Sequence, residues 1–208
     1  METPWGGVAI RGTQSLRLAI FLLAAVTVAH AQQETGKTDQ KSVDPKTTTR
    51  ITLGSVVGEP GAKVVVPVYF TPAEQVKVGR VKLEIKFVSR NLKFSRIEKG
   101  IIAEAGNFEV ESSVKEEKNE QGLEISTLTL ATAFPAGESS AIPSGLLAYL
   151  NFEIQPEANA AEISLRVTAE AAELGTNQPV RDVRAADSRV TVLASGTKPL
   201  ISCFFFSH

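Results

Sequence analysis

The sequence predicts an all-β sandwich of nine short strands, and three observations support this fold class. Several segments alternate apolar and polar residues with a period of two, the pattern of a strand with one face in a core. Clusters of Gly, Pro and Ser separate these segments at short intervals, which is typical of turns. No long segment has the spacing of an amphipathic helix, and no repeat of fixed length is visible. Units of the βαβ type, solenoids and propellers are therefore disfavoured.

The first 31 residues have the pattern of a signal peptide. Two arginines precede an apolar run over residues 18–28, which ends at a small-x-small cleavage pattern. The run is shorter than the ~20 apolar residues that a membrane span needs. We therefore predict cleavage between Ala31 and Gln32 and export to the periplasm, the cell envelope or the medium, with an uncleaved anchor as the alternative. No other membrane association is predicted.

Residues 32–50 are predicted to form a flexible, disordered linker. The segment is polar and charged, and Val43 is its only apolar residue. Such a composition cannot bury enough surface to offset the entropy of ordering the chain. The folded domain is therefore predicted to span residues 51–194, and residues 195–208 are a tail whose three consecutive phenylalanines fit no strand pattern.

Four strands are predicted in the first half of the domain, over residues 51–57, 62–70, 79–87 and 92–97. The third is the most amphipathic, because Val81, Leu83, Ile85 and Phe87 alternate with charged residues. Pro67 lies within the second strand and has no N–H for a sheet ladder, so an edge position or a bulge is expected there.

Five strands are predicted in the second half, over residues 108–114, 123–131, 144–155, 163–167 and 188–193. Residues 115–122 are predicted as a charged turn and residues 134–143 as a loop. The apolar residues of 123–131 change parity part-way, so a bulge is expected near Ser126. Ala and Glu dominate residues 168–174, which suggests a helical turn.

The strand at residues 144–155 is predicted to be central. Its alternate apolar residues are Leu146, Ala148, Leu150, Phe152 and Ile154, and prolines bound the run on both sides. The opposite face carries Leu147 and Tyr149 beside polar residues. We therefore expect both faces of this strand to be partly covered, with Leu147 and Tyr149 on the outer one.

Charge and cysteine content restrict the partners and the compartment. Cleavage would remove Arg11, Arg17 and Glu2 from 22 basic and 23 acidic residues, which leaves a net charge near −2. Nucleic acid and an anionic membrane surface are disfavoured as partners. Cys203 is the only cysteine, so no intrachain disulfide can form. An exported domain without disulfides favours a bacterial origin.

The sequence predicts no catalytic site, cofactor or metal. His30 and His208 are the only histidines and both lie outside the predicted domain, which excludes Ser-His-Asp, Cys-His and His-zinc arrangements within it. The neighbouring carboxylates lie in weakly apolar segments that are typical of a solvated surface, although paired carboxylates could in principle hydrolyse glycosides. No phosphate-binding glycine loop and no D-x-D-x-D-G calcium loop is present.

The order of these elements resembles the cohesin domain of bacterial scaffoldins, the module that captures dockerin domains on secreted enzymes. The resemblance covers about residues 52–193. Its matching segments are Gly61–Val68 as G-x-x-V-x-V-P-V, the amphipathic strand 81–87, Leu92-Lys93-Phe94, residues 127–131 and residues 187–192. Residues 145–154 resemble the family's G-x-x-A-x-x-x-F-x-V, with Ile154 in place of the final valine.

This resemblance implies a nine-stranded jelly-roll sandwich that binds a dockerin-like protein on one sheet face, linked to polysaccharide breakdown. In dockerin-binding cohesins the third strand commonly carries an Asn and an Asp on the recognition face, where this chain has Arg80 and Lys82. The family's aromatic-Asp-Pro turn is replaced by Phe87-Val88-Ser89. The reversed charge argues against a standard dockerin as the partner.

The candidate binding residues are Arg80, Lys82, Glu84, Lys86, Leu147 and Tyr149. The first four share one face of the amphipathic strand, and an aromatic residue beside charges is a common interface anchor. An ordinary solvated face is the alternative for these charges. Two other functions stay open: a carbohydrate-binding module, disfavoured because the predicted domain has only two tyrosines and no tryptophan, and a structural component of an envelope or secretion assembly.

Overall fold

The computed structural model describes residues 46–136 and 140–194, which form eleven strands and one short helix. In chain order they are β1 (Thr49–Leu53), β2 (Val56–Gly58), β3 (Lys63–Thr71), β4 (Val78–Val88), β5 (Leu92–Lys99), α1 (Ile101–Ala105), β6 (Glu109–Lys118), β7 (Glu124–Ala133), β8 (Gly145–Ile154), β9 (Glu162–Glu173), β10 (Val183–Ala186) and β11 (Ser188–Val192). The predicted signal peptide with its cleavage site, most of the predicted linker and the tail lie outside the described residues.

The strands form two sheets, which confirms the predicted all-β sandwich. The front sheet has the order β2-β11-β9-β4-β7-β6, and the back sheet has the order β10-β1-β3-β8-β5. The two inner faces enclose one apolar core. Phe87 of the front sheet meets Phe152 of the back sheet edge to face at 5.4 Å between ring centroids. No helix among the described residues is long and apolar enough to span a membrane.

The strand count is eleven rather than nine because both ends of the domain change sheet. The predicted first strand divides at Gly54: β1 pairs in the back sheet, and β2 pairs with β11 in the front sheet. Near the other end, β10 pairs with β1 and β11 pairs with β9. The sequence did not predict β10, because none of its four residues is fully buried and the apolar signal is weak.

Thr49 begins β1 two residues before the predicted start of the domain. Thr48 and Thr49 are buried although polar, because each has partners. The Thr48 hydroxyl donates to Asp182 Oδ2 at 2.5 Å, and the Thr49 N–H donates to the Asp182 carbonyl at 2.9 Å. Thr49 Oγ1 also accepts from the Ala73 N–H at 3.2 Å.

Pro67 lies in an internal strand, so the expectation of an edge position is wrong, and the expected bulge lies beside it, with its extra residue in β8 rather than in β3. The register between β3 and β8 shifts between Val68 and Tyr69. The Pro67 carbonyl accepts from the Gly54 N–H at 2.8 Å, so the proline nitrogen faces the same side. The β1 ladder ends one residue earlier, at Leu53 opposite Val68. The missing N–H therefore costs no ladder bond.

The register shift in β3 and β8 overturns the prediction for Leu147. Val68 pairs with Ala148 and Tyr69 pairs with Leu146, so Leu147 is the extra residue of a bulge. Its side chain turns inward and is 0% exposed, whereas the sequence predicted an outer, partly covered position. Tyr149 remains on the outer face and is 36% exposed, as predicted.

The backbone of Gly100 crosses this bulge at close range. Its N–H donates to the Leu147 carbonyl at 2.9 Å. A Cβ at this position would lie 2.2 Å from the Leu146 carbonyl oxygen, so no larger residue fits. The chain then forms α1, whose buried residues Ile102 and Ala103 join the core over this part of β8.

Three local expectations in the front sheet are wrong. β7 has no bulge near Ser126, since its register with β4 and β6 is continuous. Ser126 is buried instead, with its hydroxyl 2.8 Å from that of Ser89. β6 continues through the predicted charged turn to Lys118 because it pairs with β7 along its length. β9 continues to Glu173 where a helical turn was expected, because pairing with β4 outweighs the helix propensity of Ala and Glu.

Candidate functional site

The outer surface of strands β9, β4, β7 and β6 is a wide face that we call the charged face. Residues opposite each other in a ladder point to the same side of the sheet, so the pairing fixes its membership. Its members are Arg166, Thr168 and Glu170 of β9, Arg80, Lys82, Glu84 and Lys86 of β4, Ile125, Thr127, Thr129, Ala131 and Ala133 of β7, and Glu109, Glu111, Ser113, Lys115 and Glu117 of β6.

The structure brings together the four β4 residues that the sequence proposed. Lys82 and Glu84 form an ion pair at 2.9 Å along the strand. The hydrogen bond and the charge of Glu84 raise the pKa of Lys82, and Lys82 in turn lowers the pKa of Glu84. Both groups are solvated, so this pair adds little to stability. Arg80 and Lys86 are exposed and make no ion pair with any residue in the described part of the chain.

β7 forms an uncharged strip in the middle of the charged face. Its outward residues are the small or short side chains Thr127, Thr129, Ala131 and Ala133, with Ile125 at one end. The long side chains of β4 lie on one side of this strip and those of β6 on the other. The result is a shallow trough with a floor of methyl and hydroxyl groups.

The two banks of the trough carry opposite charge. The β4 and β9 bank has four cations, with Arg166 added to those of β4, against the carboxylates of Glu84 and Glu170. The β6 bank has three carboxylates against one cation, Lys115. Lys115 pairs with Glu117, which raises the pKa of Lys115 and lowers that of Glu117. The face can therefore orient a partner as well as attract it.

An open cleft of about 630 Å³ adjoins the basic bank. Arg80, Lys82 and Glu170 line it from the sheet, and Asn177 and Arg181 line it from the segment that follows β9. The described residues contain no cluster of His, Cys, Asp and Glu that could hold a metal ion. The cleft extends the polar surface available to a partner.

Leu147 and Tyr149 do not belong to the charged face. Leu147 is in the core, and Tyr149 lies on the outer surface of the back sheet, on the opposite side of the sandwich. Tyr69 of β3 is 46% exposed on that same surface. Tyr149 pairs with Pro67, two residues from Tyr69, so the two tyrosines are diagonal neighbours on adjacent strands.

The sequence missed the β7 strip and the β6 bank of the charged face. The bulge expected near Ser126 would have placed the residues on its two sides on opposite faces of β7, so the uncharged strip was not recognised. The β6 bank was missed because residues 115–118 were assigned to a turn. The sequence did contain a signal for an unbroken strand, because Ser126, Leu128 and Leu130 alternate regularly along β7 and all three are buried. A hydroxyl can be buried when it has a hydrogen-bond partner.

The chain is a β-sandwich with one broad, charged sheet face open to solvent. The model of the cohesin domain family matches residues 49–192, and the chain belongs to that family. Cohesin domains are non-catalytic modules that bind dockerins in protein–protein assembly. No curated protein sequence matches the chain.

Several solved structures with the same fold are bacterial cohesins. The seventh ScaB type I cohesin from Pseudobacteroides cellulosolvens is 18% identical, with a TM-score of 0.53 over 76% of this chain and 99% of that one. The third ScaC cohesin from Acetivibrio cellulolyticus, in complex with the ScaB dockerin, is 19% identical, with a TM-score of 0.54 over 71% and 100%. CaCohA2 from Clostridium acetobutylicum is 23% identical, with a TM-score of 0.52 over 71% and 92%. At these identities the likeness shows the fold.

Proposed function

We propose that this protein is an exported, non-catalytic module that captures a dockerin-like protein on its charged face. The observation that carries the proposal is the trough on strands β9, β4, β7 and β6, with its basic and acidic banks. Membership of the cohesin family supports a dockerin as the class of partner. The dockerin bound to the third ScaC cohesin is one precedent among proteins of the same fold.

The charges on β4 specify what the partner must offer. Arg80 and Lys86 are exposed and have no ion-pair partner among the described residues, so a carboxylate on the partner can approach either without displacing an internal bond. Dockerin-binding cohesins commonly have Asn and Asp where this chain has Arg80 and Lys82. The partner is therefore a dockerin whose contact surface is acidic where it meets β4 and basic where it meets β6.

Calorimetric titration of the full chain against a panel of dockerins tests this function. The panel includes the Acetivibrio cellulolyticus ScaB dockerin and a variant of it with acidic residues introduced on the cohesin-facing surface. We expect the acidic variant to bind more tightly than its parent. The titrations use protein at about 100 micromolar, which is enough to detect a dissociation constant in the micromolar range. Absence of binding by every dockerin of the panel would overturn the proposal.

Lys86→Glu is the variant that locates the interface. Its side chain is exposed and makes no ion pair among the described residues, although its charge helps to lower the pKa of Glu84 and Glu117. A thermal melt of the variant is therefore the folding control, and an opposing carboxylate would now be repelled. We expect weaker binding at low salt and a smaller difference at high salt, because exposed charges are screened. Lys63→Glu is the matched control, an exposed lysine on the back sheet. Equal effects of both changes would place the interface elsewhere.

Export and a link to polysaccharide breakdown belong to the same proposal. The signal-peptide pattern of the first 31 residues supports export, and the cellulosomal relatives support the link. Mature protein purified from the medium or the cell envelope should begin at Gln32. Edman sequencing or intact mass that retains Met1 would refute processing at Ala31.

Carbohydrate binding is a second candidate function, favoured by the placement of Tyr69 and Tyr149. Both tyrosines are exposed on adjacent strands of the back sheet, where two aromatic rings could stack on successive sugar rings. Retention of the chain on insoluble cellulose, lost in the Tyr69→Ala/Tyr149→Ala double variant, would support this function. Equal retention of the double variant would exclude these tyrosines as the sugar site.

A further inference from the structure

The outer edge of β6 has no strand beside it among the described residues. β6 is the last strand of the front sheet, and its ten residues pair with β7 on one side. Every residue from Glu111 to Lys118 is exposed. This includes Ser112 and Val114, which lie on the inner side, so this part of β6 extends beyond the cover of the back sheet.

The β6–β7 turn shows which residues of β6 direct their backbone N–H and C=O groups away from β7, towards the open edge. The Asn119 N–H donates to the Leu123 carbonyl at 2.9 Å, and these residues continue the register of the ladder. Hydrogen-bonded and non-hydrogen-bonded pairs alternate in an antiparallel ladder. Odd-numbered residues of β6 therefore direct their N–H and C=O groups towards β7. Even-numbered residues, including Val110, Ser112 and Val114, direct theirs outward.

We propose that two copies of this chain associate through antiparallel pairing of their β6 edges, with the two-fold axis at Ser112. This register places Val110 opposite Val114 and Glu109 opposite Lys115 in both halves of the interface. In this register the even-numbered residues of the two copies lie opposite each other, so their outward N–H and C=O groups can form hydrogen bonds. About six backbone hydrogen bonds would join the two sheets.

Charge complementarity selects this register over its neighbours. An axis at Ser113 also joins Glu111 to Lys115, but it opposes Glu109 to Glu117. An axis at Glu111 opposes that residue to its own copy, and an axis at Val114 opposes Glu111 to Glu117. Like charges directly opposite each other destabilise a sheet pair. The axis at Ser112 opposes no like charges.

The same register extends an ion-pair network that each copy already has. Lys99 of β5 pairs with Glu109 at 2.5 Å, and Lys115 pairs with Glu117. Lys115 of the second copy would meet Glu109 of the first, so the charges alternate in sign across the interface. Val114, which is 44% exposed in the single chain, would be covered. The two charged faces would point the same way on one continuous sheet, with β4 of each copy still open to a partner.

Cysteine cross-linking tests the register directly. In the full chain with Cys203→Ser, we compare Ser112→Cys with Ser113→Cys under mild oxidation. The proposal brings the two copies of residue 112 to a Cα separation of about 5.5 Å, which a disulfide spans, and leaves the two copies of residue 113 about 7–8 Å apart on the diagonal, which it does not. We expect covalent dimers from Ser112→Cys alone. Faster cross-linking of Ser113→Cys, or none by either, would overturn the proposal.

Charge variants then test the association without a cross-link. Sedimentation equilibrium of the full chain should show a dimer whose dissociation constant rises roughly tenfold in Lys115→Glu. The exchange Glu109→Lys with Lys115→Glu should restore it. Lys118→Glu lies on the same strand outside the paired segment and should leave it unchanged. A wild-type chain that stays monomeric at high concentration, or equal effects of Lys115→Glu and Lys118→Glu, would refute the β6 interface. Dockerin binding is measured separately, because Glu109 and Lys115 also belong to the β6 bank of the charged face.

Discussion

Leu147 and Leu150 lie three positions apart on one strand, yet both point into the core. The bulge at Leu147 shifts the register by one residue, so the usual alternation fails between them. Both side chains are 0% exposed. The inward position of Leu147 makes it part of the packing around α1 rather than part of a binding surface.

Leu147→Ala should therefore destabilise the domain as much as Leu150→Ala. Truncation of a fully buried leucine costs about 2–5 kcal/mol, because apolar contacts are lost and a cavity remains. Denaturant unfolding of the two variants measures the free energies. Val65→Ala, at an exposed apolar site of the same sheet, serves as the control and should cost much less. A small loss for Leu147→Ala together with a large one for Leu150→Ala would contradict the bulge.

Single residues show where sequence patterns stop being informative. The alternation of Val81, Leu83, Ile85 and Phe87 predicted β4 correctly, because β4 pairs with β7 and β9 without a bulge over these residues. No such rule locates a bulge, which depends on the register of a partner strand far away in the chain. Buried Ser126 was missed for a related reason: its hydroxyl is satisfied by Ser89, a contact that the sequence alone does not reveal.

At the scale of the element, β4 carries its charges as a local network rather than as independent groups. Lys82 hydrogen-bonds Glu84 two residues along the same face, while Arg80 and Lys86 flank this pair. A partner that approaches β4 thus meets two cations that are available and one that is already engaged. Arg80 and Lys86 are consequently the stronger candidates for steering.

Lys82→Met should raise the pKa of Glu84 towards its ordinary value, because the hydrogen bond and the charge of Lys82 hold it down. A carboxyl with a lowered folded pKa stabilises the fold above its unfolded pKa, and that contribution disappears as the pH falls through the folded pKa. In Lys82→Met, the free energy of unfolding should therefore lose this small decrease at acidic pH. Carbon-13 NMR titration of the Glu84 carboxyl measures the shift. Lys63→Met on the back sheet should leave it unchanged, and an unchanged pKa in Lys82→Met would refute the pair.

Elements differed in how well the sequence predicted them. The strands with the strongest alternation, β4 and β8, were placed within one or two residues. β9 was cut short because Ala and Glu favour helices, although pairing with β4 carries the strand to Glu173. β10 was missed because a strand without a fully buried side chain leaves no periodic signal. Local propensity is weak where a ladder supplies the stabilisation.

At the scale of the whole molecule, the sandwich separates residues that the sequence grouped together. The sequence placed Arg80, Lys82, Glu84 and Lys86 correctly on one face but could not exclude Tyr149 from it, because parity within a strand does not say to which sheet the strand belongs. The order of the strands decides this: β4 is in the front sheet and β8 is in the back sheet. The molecule thus has two separate outer surfaces, one charged and one bearing two tyrosines.

The start of the domain is fixed by the hydrogen bonds that the first residues of β1 make with distant segments. Thr48 and Thr49 lie before the start that composition suggested, yet both are buried and join β1 to Asp182 and to Ala73. The contacts with Asp182 connect the beginning of the domain to a segment more than 130 residues later. Residues 46–194 should therefore form a complete cooperative unit, and a chain that begins at Thr52 should not.

Thermal unfolding of the two truncated chains tests this boundary. The chain from Lys46 should melt in one transition near the temperature of the full protein, while the chain from Thr52 loses three residues of β1 with its pairing to β10 and melts lower. Thr49→Val separates hydrogen bonding from chain length, because it keeps the strand but leaves the buried Ala73 N–H without its acceptor, at a cost of about 1–3 kcal/mol. If all three proteins melted together, β1 would contribute nothing to the fold before Thr52, and the domain would begin where polar composition first gave way to alternation.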